Sequence, residues 1–132
     1  MIGLFLITHG SLGESLIQCA CHVLNRRPLQ LAQIGVSAQD DPLDILPTAR
    51  QWLQLTDSGR GVLVLTDIFG ATPANVALKL IEPPRVQALA GVNLPMLLRA
   101  LTYRDREMDT LIAKALAGGR DGVLRIKGPA GA

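Results

Sequence analysis

Histidine is the side chain best suited to take up and release a group near neutral pH, and this chain has two, His9 and His22. His9 closes an apolar run, Ile2 to Thr8, and is followed by Gly10 and Ser11, whereas His22 lies in a stretch of helical spacing and reads as a helix-face residue. Asp67 closes a second apolar run, Gly61 to Thr66, and leads into Gly70, Ala71, Thr72 and Pro73. A carboxylate that accepts from one imidazole nitrogen fixes the tautomer and leaves the other nitrogen as an oriented nucleophile. Two helix N-termini, one opening near Gly10-Ser11 and one at Gly70 to Pro73, offer unpaired backbone N–H groups and positive dipole ends to an anion. Glycine lets the backbone come close to such a group, and Thr72 can add a hydroxyl. Singly, each feature has an ordinary reading: a satisfied strand-end histidine, a turn aspartate, turn glycines. Jointly they describe a histidine that accepts a phosphoryl group.

The elements that must position these residues follow from hydrophobic periodicity. Short apolar runs alternate with longer segments of helical spacing, the signature of βαβ units around a parallel sheet. Ile2 to Thr8 is apolar on both faces, as a buried central strand requires. Ser11-x-x-Glu14 reads as a capping box opening a helix that ends before Pro28. Leu29 to Val36 is a weaker second strand. Asp40-Asp41-Pro42 starts a second helix reaching about Leu55, either kinked at Pro47 or starting later. Gly61 to Thr66 is the third strand, Thr72-Pro73 a cap and N1 signal for a third helix, and Val86 to Gly91 the fourth strand. Asn93 and Pro95 open a helical stretch to about Tyr103. Asp105 caps another to Ala117, ended by Gly118-Gly119, and Val123 to Lys127 is a short last strand. With the strand order 2-1-3-4, His9 and Asp67 fall at neighbouring carboxyl ends beside the switch point, about 4.8 Å apart strand to strand.

Composition removes other classes. Of 132 residues, 48% are hydrophobic, enough for a core, which excludes a disordered chain. A net charge of +2 and 3% aromatics supply neither the field nor the stacking platform for nucleic acid. No apolar run reaches the length of a membrane span, and the first residues lack the pattern of a secretion signal, so no membrane insertion is expected; Cys19 and Cys21, two apart, are poorly placed for a disulfide, so a reduced, cytoplasmic setting is expected. Cys19-x-Cys21-His22 is not read as a metal site, because on a helix the two cysteines point about 200° apart. Residues 1–127 are expected to form one domain, and 128–132, of Gly/Pro/Ala composition, a flexible tail. Arg99 and Arg104 are expected on a solvated face.

Three blocks, Thr8-His9-Gly10, Asp67-Ile68-Phe69-Gly70-Ala71-Thr72-Pro73-Ala74-Asn75 and Gly91-Val92-Asn93-Leu94-Pro95-Met96-Leu97, occur in the order and spacing of a known family. Nearly the whole chain resembles the enzyme IIA domain (EIIA) of the mannose family of the bacterial sugar phosphotransferase system (PTS). The resemblance implies that His9 receives a phosphoryl group from the phosphohistidine of the carrier HPr and hands it to a IIB component, here on a separate chain. It implies that Asp67 bonds the histidine Nδ1, leaving Nε2 to attack, and that the family's hydroxyl falls on Thr72. The phosphoryl-binding set becomes Gly10, Ser11, Gly70, Ala71 and Thr72, with Ala71 standing where the family usually has a second glycine. The implied fold is an α/β, flavodoxin-like layout: an open, mostly parallel five-stranded sheet with helices on both faces and a last antiparallel strand. In the family that strand is exchanged within a homodimer, which here involves Val123 to Lys127. No cofactor or metal is implied, since each transfer is from imidazole to imidazole.

Close variants share the histidine: a carrier subunit for dihydroxyacetone phosphorylation, and an EIIA of purely regulatory task. A histidine phosphatase lacks support, since Thr8 stands where that superfamily's phosphate-clamping arginine would precede the histidine. A nucleotide- or flavin-binding module lacks a GxGxxG after the first strand.

Overall fold

The computed structural model describes residues 1–129; the remainder of the expected 128–132 tail lies outside the described residues. In chain order the elements are β1 (Gly3–His9), α1 (Leu12–Leu24), β2 (Leu31–Val36), α2 (Pro42–Thr56), β3 (Val62–Thr66), α3 (Thr72–Leu80), β4 (Val86–Ala90), α4 (Leu94–Tyr103) and α5 (Met108–Asp121). All pairings among the strands are parallel, in the order β2-β1-β3-β4.

The period-two alternation of β1 and β3 divides the core into two layers. Leu4, Leu6, Leu63 and Leu65 pack with Ile17 and Ala20 of α1, Leu97 of α4 and Leu111 of α5. Phe5, Ile7, Val62 and Val64 pack on the other face with Ala49 of α2 and Val76 and Leu80 of α3. Because α1 and α3 cover opposite faces, the gap between the carboxyl ends of β1 and β3 is the switch point.

Several helix boundaries differ from the sequence expectation. Asp41 caps α2 by accepting from Leu43 N–H at 2.9 Å, and the helix runs from Pro42 straight through Pro47. The N-cap of α5 is Glu107 rather than Asp105, and Gly118 and Gly119 lie inside the helix. Their lack of side chains serves packing there, since a Cβ at Gly118 would lie 2.6 Å from the Arg99 Cβ. Among the described residues beyond α5 the sheet shows no fifth strand: residues 123–127 form no ladder, and Val123, Leu124 and Ile126 stand exposed. Among the described residues the segment pairs with neither edge strand of its own sheet, β2 or β4.

Arg104 is a second correction. It is buried rather than solvated, and its guanidinium closes the amino edge of the sheet. Nε donates to Ile2 O at 3.0 Å, Nη1 to Leu29 O at 2.7 Å, and Nη2 to Gln30 O. Its own carbonyl accepts from Ile2 N–H at 2.9 Å. The side chain thereby ties the start of β1 to the segment entering β2.

Candidate functional site

The parallel register pairs Ile7 of β1 with Thr66 of β3, which sets Asp67, the next residue, beside the end of β1. His9 and Asp67 meet there. One carboxylate oxygen, Asp67 Oδ2, accepts twice from the same residue: from the His9 backbone N–H at 3.0 Å and from ring Nδ1 at 2.8 Å. The other oxygen, Oδ1, accepts from Ile68 N–H at 3.1 Å. The Asp67 side chain is only 11% exposed and the His9 ring 37%, so the carboxylate is shielded while the imidazole is open to solvent.

Burial pushes the Asp67 carboxyl up, but the bonds from the His9 backbone and ring, the bond within its own segment and the attraction of the His9 ring together outweigh it. The net direction is below the ordinary carboxylate value, so Asp67 is ionised at neutral pH. An ionised carboxylate only accepts, hence Nδ1 carries the proton in the neutral ring and the Nε2 lone pair is left free. Because the folded-state value is depressed, ionised Asp67 stabilises the fold fully above its unfolded-state value. That contribution disappears as pH falls through the folded value. Acid titration of wild type and Asp67→Asn, followed by circular dichroism, should therefore show a wild-type advantage at pH 7 that shrinks below about pH 4. An advantage independent of pH would remove ionisation from the account.

The residues around the pair are placed as follows. Gly10 adopts φ +53°, turning the chain sharply out of β1. Its N–H is spent on Val36 O at 3.0 Å, so it offers the cradle its lack of a side chain and not its amide. Ser11 is the N-cap of α1, yet its side chain caps nothing, and the expected capping box with Glu14 is not made. Thr8, at the end of the first apolar run, does that work: its buried Oγ1 accepts from Gly13 N–H at 2.8 Å. The amides of Ser11 and Leu12 are left without partners among the described residues, at the tip of the helix. Gly35 on β2 was also missed, and a Cβ there would lie 1.9 Å from Gly10 O. Its only sequence signal was a glycine inside a strand run.

On the β3 side, Gly70 has φ +86° with open space around it, so glycine is chosen for its backbone conformation. Ala71, not Thr72, is the N-cap of α3, and Thr72 is its first helical residue. Ala71 has φ −105° and ψ 177°, an extended conformation open to any residue, so alanine there causes no backbone strain. Asn93 lies at the carboxyl end of β4 but works on structure: its Oδ1 accepts from Met96 N–H at 2.9 Å and its Nδ2 donates to Gly119 O at 3.1 Å. Ile68 and Phe69, adjoining Asp67, are exposed apolar side chains. Among the described residues no group of three or more His, Cys, Asp or Glu side chains is placed to hold a metal ion.

Comparison with known proteins places this geometry among relatives. The family model for the PTS system fructose IIA component (EIIA-man) matches residues 3–116. The PTS system mannose-specific EIIAB component of Escherichia coli K12 is 30% identical over 129 residues, covering 96% of this chain and 40% of that protein. The chain thus spans well under half the length of that relative. A fructose-specific EIIA component of Bacillus subtilis is 53% identical over 45 residues, 33% of this chain and 31% of that one. Among solved structures, the mannose/sorbose specific IIA subunit from Enterococcus faecalis superposes with a TM-score of 0.85 at 26% identity, covering 97% of this chain and 96% of that one. The EIIA component from Streptococcus agalactiae shares the fold with a TM-score of 0.82 at 23% identity, covering 95% and 97%.

Proposed function

The chain belongs to the EIIA-man family of PTS components, and from that premise we propose that residues 1–127 act as one cytoplasmic phosphohistidine carrier domain. His9 accepts a phosphoryl group from phospho-HPr and passes it to a IIB component. The observation that supports this best is the carboxylate on Nδ1, which leaves Nε2 free at the switch point on a solvent-open ring. Among the described residues no helix is long and apolar enough to cross a membrane.

In the transfer, the Nε2 lone pair attacks phosphorus in line, and the N–P bond to the donor imidazole breaks. The donor ring keeps that electron pair. The Nδ1 proton stays between His9 and Asp67, where the carboxylate offsets the positive charge that develops on the His9 ring. Ser11 and Leu12 amides at the tip of α1, with the Ser11 and Thr72 hydroxyls, receive the phosphoryl oxygens, while Gly10, Gly70 and Ala71 keep the approach open. Asp67→Asn retains an oxygen for the backbone bond but loses the charge. It should slow phosphorylation about 100-fold in a quenched-flow assay. Unchanged kinetics would take Asp67 out of the mechanism.

The defining experiment incubates the protein with phosphoenolpyruvate, enzyme I and HPr. An increase in intact mass of one phosphoryl group, about 80 Da, is expected. No increase would refute the carrier reading.

A homodimer is part of the same proposal. β4 is an edge strand, and a groove of about 170 Å³ beside it is lined by apolar residues including Leu78, Ile81, Ala88 and Leu89. The unpaired segment Val123 to Lys127 supplies Val123, Leu124 and Ile126, and in the family's antiparallel sense it would add to the β4 edge of a second copy. Truncation after Gly122 should convert a dimer into a monomer in analytical ultracentrifugation. Persistence of the dimer would place the interface elsewhere.

A further inference from the structure

The opposite, amino edge of the sheet carries a second cluster of charge that phosphoryl transfer does not use. A cavity of about 210 Å³ is lined by Arg26, Arg27 and Arg104, with Pro28, Leu29 and Leu101 as its apolar wall. Arg104 is 4% exposed, and its three hydrogen bonds all go to neutral carbonyls, of Ile2, Leu29 and Gln30. Those bonds leave one hydrogen unspent on each terminal guanidinium nitrogen. Asp105 attracts the Arg104 charge and Arg26 opposes it, so both stand near its guanidinium. The carboxylate among the lining residues, Asp105, is 81% exposed and stands 4.0 Å from the Met1 amine. Three arginines thus line one small cavity, and among the described residues no carboxylate forms an ion pair with any of them.

We propose that this cavity binds a small phosphorylated metabolite, its phosphate held by Arg26, Arg27 and Arg104 and its carbon skeleton against Pro28, Leu29 and Leu101. Guanidinium groups match phosphate oxygens in charge and in fork geometry, and the volume suits a phosphate with a short carbon chain. β1 separates the cavity from His9 by its whole length of 7 residues, about 20 Å. The cavity and His9 are therefore separate places on the chain.

Titration of the full chain with glycerol phosphate, followed by backbone amide NMR at constant ionic strength, tests this. Saturable shifts are expected at residues 26–29 and 101–105, with affinity at least tenfold weaker in Arg26→Gln/Arg27→Gln. These arginines are exposed, so the variant should fold, as its unchanged spectrum elsewhere would show. Shifts confined to His9, Ser11 and Thr72, equal affinity in the variant, or the same response to matched sodium chloride would each overturn the proposal. So would arginine-dependent sedimentation with phosphatidylglycerol vesicles in the absence of glycerol phosphate binding, which would reassign the patch to a lipid surface.

Discussion

The His9→Ala protein takes up no phosphoryl group from phosphoenolpyruvate, enzyme I and HPr, while wild type gains one; this is the expected result with the largest functional effect. His22, the other histidine, lies on α1 away from the carboxylate, so no second imidazole is oriented to replace His9. Alanine removes the ring but not the backbone N–H that bonds Asp67 Oδ2, so one of the two bonds joining β1 to Asp67 survives. The variant should therefore keep its circular dichroism spectrum and denaturation midpoint close to wild type. Intact mass reads the first outcome and urea titration the second. Phosphorylation of His9→Ala would move the acceptor elsewhere, and collapse of the fold would make His9 a structural residue first.

Arg104→Met should have the largest effect on stability. Methionine fills much of the space but donates nothing, leaving the carbonyls of Ile2 and Leu29 without their partner, while Gln30 O keeps its bond from Leu4 N–H at 3.0 Å. An unsatisfied buried acceptor costs about 1–3 kcal/mol, so with two orphaned the loss should be about 2 kcal/mol or more. Thermal unfolding should fall by about 10 °C. Arg104→Lys should recover little, because a single ammonium cannot span three carbonyls held by a planar fork. A loss below about 1 kcal/mol would mean that water replaces the guanidinium. Burial lowers the Arg104 value to about 10, with Asp105 opposing that shift and Arg26 adding to it; the group is still charged at neutral pH.

The strand order and the meeting of His9 with Asp67 were legible because they rest on signals that survive in one dimension. Doubly apolar runs mark β1 and β3, and polar residues at their ends fall on one edge in any parallel sheet. What was not legible depends on contacts between distant segments. Arg104 resembles any charged residue after a helix until Ile2, Leu29 and Gln30 are seen around it. Gly118-Gly119 reads as a helix stop, yet the pair is retained inside α5 because α4 packs against it. Thr8 displaced Ser11 as the partner of the first turn of α1 because it reaches Gly13 from the strand, a route that no local motif encodes.

The shared oxygen at the centre of the site has one more consequence. Asp67 Oδ2 holds the ring of His9 and the peptide N–H of the same residue at once. Electron density drawn toward the imidazole when it becomes positively charged is withdrawn from the bond to the peptide. On the proposed carrier role, the main chain at the end of the central strand would sense the load on His9, and the loaded and empty forms would differ in backbone polarisation there.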